Sequence, residues 1–213
     1  PHNCHSEGVT LRIVQGVRVT SQGCRIMKEN AKHMKDDIEK IVVTEEEIRQ
    51  KVQEISHRLA KDYRDKDLTL IGILNGSLVF LSDLIRLLPF PMRLDTIGAS
   101  TYGNSTSPKA ETVLLNRLKT NIEGRDVLLV DDIIDSGKTL RRVVEGVKSY
   151  NPCSLKTCVL LNRPSRRSEK IEPDYCGFEL GDDFVVGYGL DYNNGYRNLP
   201  YIAVLKPECY TRR

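Results

Sequence analysis

The sequence predicts an α/β fold, a mostly parallel twisted sheet flanked by helices on both faces, and three observations predict it. Strand-length apolar runs alternate with segments of helical period along the chain. The runs are continuously apolar rather than alternating, as strands covered on both faces are. No internal repeat or low-complexity segment breaks that order.

Residues 1–33 show no sustained period and mix His, Asn, Ser, Gly and Arg, whereas Met34 has the look of a natural start, with a regular pattern behind it. The expected division is therefore an extension over 1–33 and one domain over 34–213. Three readings of the extension stay open: an over-extended start or expression remnant, a disordered arm, and an Arg-bearing transit peptide.

Thr44-Glu45-Glu46-Glu47 is a capping box, and Ile48, Val52, Ile55 and Leu59 share one face of the helix it opens. Leu68–Leu74 has strand length. After an Asn-Gly-Ser break, a helix is expected with Leu78, Leu81, Leu84, Ile85 and Leu88 inward, stopped by Pro89 and Pro91. Met92–Ser100 reads as a strand, and 102–108 has the composition of a mobile loop. Val127–Val130 is a buried-type strand, Thr139–Tyr150 a helix with Leu140, Val143, Val144 and Val147 at helical spacing, and Leu155–Leu161 a strand. Short strands are expected at Tyr175–Leu180, Phe184–Gly187 and Tyr201–Leu205.

Composition narrows the function. With 39% apolar and 29% charged residues, 213 in all, one globular domain is the leading expectation. Mean hydropathy is −0.37 and no 18-residue apolar run is present, which argues against a membrane span. The net charge of +3 sits in the extension, where Arg12, Arg18, Arg25, Lys28 and Lys32 face Glu7 and Glu29; residues 34–213 balance at 27 of each sign. The body therefore has no global attraction to nucleic acid or anionic lipid. Six cysteines without a C-x-x-C pair, and without His nearby in the body, disfavour zinc and fit reduced cytoplasmic thiols. Only His57 lies in the body, so nucleophile–His mechanisms lack material, and acid–base work falls to carboxylates or Lys.

In such a sheet ligands bind beyond the carboxyl ends of the strands. There the chain reads Asp131-Asp132-Ile133-Ile134-Asp135-Ser136-Gly137-Lys138-Thr139. Backbone N–H groups, two hydroxyls and a helix start make the last four a monophosphate cradle, with carboxylates above it to accept sugar hydroxyls. An acidic pair alone also suits a solvated loop with a helix cap; three carboxylates plus the turn point to a site. A Walker A loop fails because position 132 is Asp, and Gly187-Tyr188-Gly189 is a weak dinucleotide signal.

VLLVDDIIDSGKT resembles the phosphoribosyl-pyrophosphate signature of type I phosphoribosyltransferases. From about Met34 to Tyr210 the chain resembles the bacterial-type hypoxanthine-guanine phosphoribosyltransferases, through ILNGSLVF, STYG, LLNRPSRR, FVVGYGLDY and YRNLPYI. The resemblance implies a type I fold with a small hood, and magnesium-dependent transfer of 5-phosphoribosyl to N9 of hypoxanthine or guanine. It implies ribose contacts at Asp131 and Asp132, a general base or acid at Asp135, and 5′-phosphate contacts at Ser136, Gly137, Lys138 and Thr139. For pyrophosphate it implies Arg197 and the turn at Asn75 and Gly76, which can hold a non-proline cis peptide. It places Ile133, Arg163, Phe184, Val185 and Asp191 about the purine, Asp191 also on magnesium, and Thr101 and Tyr102 in a lid. It carries a homodimer or homotetramer as well.

Three positions depart from the family pattern. Arg163 stands where Lys usually contacts the purine 6-oxo group, Asn75 where Lys is frequent, and Thr101 where Ser is usual. Rival readings are a non-catalytic phosphoribosyl-pyrophosphate sensor and a transferase for xanthine or adenine. A sensor acting on nucleic acid calls for a basic patch or an added helix-turn-helix, and neither is legible in the neutral body.

Overall fold

The computed structural model describes residues 34–102, 111–114 and 116–211. The chain divides into two units, 1–36 and 37–213, and the fold is that of the second. Its elements are β1 (Ile38–Val43), α1 (Glu45–Tyr63), β2 (Leu68–Leu74), α2 (Leu78–Arg86), β3 (Arg93–Tyr102), β4 (Glu111–Leu114), β5 (Asp126–Ile134), α3 (Lys138–Lys148), β6 (Ser154–Asn162), β7 (Tyr175–Glu179), β8 (Val185–Val186), β9 (Ile202–Leu205) and α4 (Pro207–Thr211). A short 3₁₀ turn, Pro164–Arg166, follows β6.

Among the described residues the main sheet runs β4-β3-β2-β5-β6-β7. Every pairing from β3 to β7 is parallel, and β4 closes the edge antiparallel to β3. Strand alternation divides the core in two. Leu68 and Leu70 of β2, with Leu128 and Val130 of β5, pack against α1 and α2. Ile71, Ile73, Val127 and Leu129, one residue out of step, pack on the other face against Leu140, Val143 and Val147 of α3. Both faces are thus covered, which is why these strands read as unbroken apolar runs. A second, antiparallel sheet, β1-β9-β8, forms the hood.

The capping box forms as expected: the Glu47 N–H donates to Thr44 Oγ1 at 3.3 Å, and the Thr44 N–H donates to Glu47 Oε2 at 2.8 Å. Ile48, Val52, Ile55 and Leu59 are all buried.

Helix α2 corrects one expectation. Leu78 is 56% exposed, and Phe80, which the spacing argument passed over, is fully buried with Leu81 and Leu84. At about 100° per residue the centre of the Phe80, Leu81, Leu84 and Leu88 face lies more than a quarter-turn from Leu78. Strand β5 corrects another, since it runs four residues past Val130 and places Asp131 and Asp132 inside the sheet. Strands β1 and β4 and the terminal α4 were not expected from the residues. Strand β1 owes its extended form to pairing with β9, from Ile38 opposite Leu205 to Val43 opposite Ile202.

Candidate active site

The carboxyl ends of β2, β5 and β6 build the site, one loop each. Past β5, Asp135, Ser136 and Gly137 lead into α3. Gly137 caps that helix with φ +83°, a left-handed conformation that suits glycine. A Cβ there would also sit 2.8 Å from Ile171. Gly137 has no side chain to cap α3, and the Lys138 N–H donates to Ser136 Oγ at 3.4 Å; a helix start of this kind suits an anion. The Ser136 carbonyl accepts from the Ser168 and Glu169 N–H groups, both at 3.0 Å, which pins the turn from outside.

Past β2, the Leu74–Asn75 peptide is cis. Gly76 follows, and there is no room for more than a hydrogen: a Cβ would lie 1.9 Å from Asp132 Oδ2. The loop after β8 presses on the same turn, with a Cβ position at Gly189 only 2.1 Å from the Gly76 carbonyl oxygen. These two close approaches place Arg197 near Asp132. Arg197 Nη2 pairs with Asp191 Oδ1 at 2.7 Å, its Nη1 donates to the Gly189 carbonyl at 2.6 Å, and the Asn194 N–H donates to Asp191 Oδ2 at 2.8 Å.

Two cavities open here. One, about 280 Å³, is lined by Gly76, Asp131, Asp132, Ser136, Gly137 and Thr139 among others. Its neighbour, about 230 Å³, is lined by Arg163, Arg166, Phe184, Val185, Leu190 and Asp191. They share Asp132, Ile133 and Asp135, so those residues stand at the junction. Burial, and then the charge of Asp132, pushes the Asp131 carboxyl well above the ordinary carboxylate range. Burial raises Asp132 too, against a hydrogen bond from Asp131 and the attraction of Arg197. Hydrogen-bond donors to the ionised carboxylates would relieve both.

Phe184 is 39% exposed and meets Tyr192 edge-on at 5.9 Å and Tyr210 at 5.8 Å. Arg163 is 3% exposed, and its guanidinium donates to Asp135, Gly181 and Asp183. Most of the expected residues thus line one cavity or the other, but not all do. Asn75 and Lys138 are exposed and line neither cavity, and Arg197 lines a larger apolar groove between α1 and α2. Thr101 and Tyr102 end β3, paired with Thr112 and Glu111; the rest of the expected lid, 103–108, lies outside the described residues. Arg166, Leu190, Tyr192 and Tyr210 were not among the residues expected here. Arg166 had a signal, because residues three apart in a 3₁₀ turn stand on one side, and Arg163 was already a candidate.

Residues 40–193 match the family model described as phosphoribosyl transferase domain. The chain belongs to the phosphoribosyltransferase family. It is an enzyme of transferase type, and the candidate site lies at the carboxyl edge of its parallel sheet. A hypoxanthine-guanine phosphoribosyltransferase of Bacillus subtilis is 48% identical over 177 residues, covering 83% of this chain and 98% of that protein. The crystal structure of a hypoxanthine phosphoribosyltransferase from Staphylococcus aureus superposes with a TM-score of 0.81 at 41% identity, covering 84% of this chain and 97% of that one. A Bacillus anthracis hypoxanthine-guanine phosphoribosyltransferase with HEPES in its active site gives 0.76 at 39% identity, over 79% and 99%.

Proposed function

We propose that this phosphoribosyltransferase moves the 5-phosphoribosyl group of phosphoribosyl pyrophosphate to N9 of hypoxanthine or guanine, giving IMP or GMP and pyrophosphate. The junction of the two cavities at Ile133 and Asp135 carries the reading. A ligand with a phosphate on the α3 turn and a diol on Asp131 and Asp132 puts its anomeric carbon at that junction, facing a base stacked on Phe184 and bonded by the Val185 backbone.

In this reading the bond from C1′ to pyrophosphate breaks as N9 bonds C1′, through an oxocarbenium-like sugar. Asp135 takes the proton that the base carries on N7. Buried carboxylates beside the sugar favour its developing positive charge, while Arg197 draws off the negative charge on departing pyrophosphate. Thr101, Tyr102 and the loop they lead into exclude water as a lid. Asp191 is an oxygen donor beside the site, which suits magnesium, an ion that keeps water and substrate oxygens as most of its ligands. Bound there, magnesium would neutralise pyrophosphate charge.

Free thiols at Cys153, Cys158, Cys176 and Cys209 support a cytoplasmic setting, and the family resemblance supports a homodimer or homotetramer. The test is incubation with phosphoribosyl pyrophosphate, magnesium and each purine base in turn. IMP from hypoxanthine and GMP from guanine are expected; nucleotide from adenine or xanthine alone, or from no base, would sink the proposal. Asp135→Asn should lower kcat by about 100-fold or more while phosphoribosyl-pyrophosphate binding holds.

A further inference from the structure

The departure at position 163 has a geometric use. β5 and β6 pair in parallel with Ile134 opposite Asn162, so Asp135 and Arg163 are neighbours one step beyond the ladder. The Arg163 N–H donates to the Ile134 carbonyl at 3.0 Å, which holds the two chain ends side by side.

All three guanidinium nitrogens already have protein partners. Nε donates to the Gly181 carbonyl at 2.8 Å and Nη2 to the Asp183 carbonyl at 2.7 Å, while Nη1 meets Asp135 Oδ1 at 2.8 Å. The intervening carbonyl, of Asp182, accepts from Arg166 Nη2 at 2.6 Å. Three consecutive carbonyls are thereby held from one corner of the chain, immediately before Phe184. The asymmetry matters: the Arg163 side chain is 3% exposed and that of Asp135 is 43% exposed. One end of the pair is set in the protein, and the other stands in the cavity. Among the described residues Asp135 Oδ2 has no hydrogen bond.

We propose that Arg163 is a positioning residue: anchored on the Gly181 and Asp183 carbonyls, its guanidinium fork holds Asp135 by Oδ1 and aims Oδ2 at the purine ring nitrogen, instead of reading the base's 6-substituent. The proposal rests on the transfer reaction proposed above. A planar fork with donors on three nitrogens spans these acceptors, and a single lysine ammonium does not.

A double-mutant cycle tests it, with kcat and KM measured for hypoxanthine, guanine and phosphoribosyl pyrophosphate. Arg163→Gln should lower kcat by about 10- to 100-fold with KM for the base within about 3-fold, because proton transfer loses its aim while the base keeps its contacts. On an Asp135→Asn background the same change should cost less than about 3-fold, since a residue acting through Asp135 has nothing left to aim. Arg163→Lys should recover only part of the lost turnover. Additive losses in the cycle would overturn the proposal. So would a large rise in the KM of both 6-oxopurines at unchanged kcat, or full turnover in Arg163→Lys. If Arg163→Gln does not fold, Arg163→Lys alone and combined with Asp135→Asn gives the same cycle. Absence of nucleotide synthesis by the unaltered protein would instead sink the transfer reaction.

Discussion

Asp131 is a carboxyl group set where water is scarce, 7% exposed within strand β5 and beside a second carboxyl. A carboxyl that holds its proton more tightly in the folded chain than in the unfolded one weakens the fold as pH rises from the ordinary carboxylate value towards its own raised value. The penalty is complete above that raised value. Asp131→Asn should therefore raise the melting temperature of the ligand-free protein at neutral pH, by roughly 2–4 °C for each kcal/mol relieved, while weakening phosphoribosyl-pyrophosphate binding. Equal melting temperatures at neutral pH, followed by calorimetry, would contradict it. Asn75 is exposed on the turn after β2, and the family resemblance puts a lysine there often. A charge near pyrophosphate at water-like dielectric is worth about 1 kcal/mol at 4 Å, so Asn75→Lys should tighten pyrophosphate inhibition by about fivefold. An unchanged inhibition constant counts against a pyrophosphate role for this turn. The residue types were legible in the sequence because phosphate and diol binding need hydroxyls, glycine and carboxylates in a short run. The partners of Arg163 were not, since Gly181 and Asp183 lie eighteen and twenty residues away.

At the scale of elements, the turn after β2 matters most. Gly76 is squeezed between the Asp132 carboxylate and Gly189, and only glycine allows both approaches. Gly76→Ala must displace either the Asp132 carboxylate or the turn. Turnover should drop by about 100-fold, the usual cost of misplacing reacting groups by an ångström, while the circular dichroism spectrum stays native. Activity near that of the unaltered protein would show that the turn yields freely. Elements with strong local signals were legible: the capping box of α1, and the apolar runs of β2, β5 and β6. Leu78 shows the limit, because a helical period fixes which residues share a face but not which face meets the core. Strand β1, made of Ile38–Val43 with Glu39 and Lys40 exposed, has little strand signal and depends on β9, more than 150 residues away.

For the molecule as a whole, charge and family coverage separate the body from the extension. The family match begins at residue 40, and the unit that carries the sheet begins at Asp37. Removing residues 1–33, which hold the entire net charge of +3, should leave kcat and KM unchanged and lower the isoelectric point towards neutrality. A loss of turnover in the shortened protein would assign the extension a part in catalysis. By itself the sequence determined the fold class and the strand that leads into the acidic signature, because each rests on local composition and period. Tertiary structure alone decided that Asp135 and Arg163 stand side by side, that Gly76 touches Asp132, and that Tyr192 and Tyr210 flank Phe184. Those contacts join segments distant in the chain, brought together by parallel strand order and by the crossing of loops at one edge of the sheet, which local residue patterns do not encode.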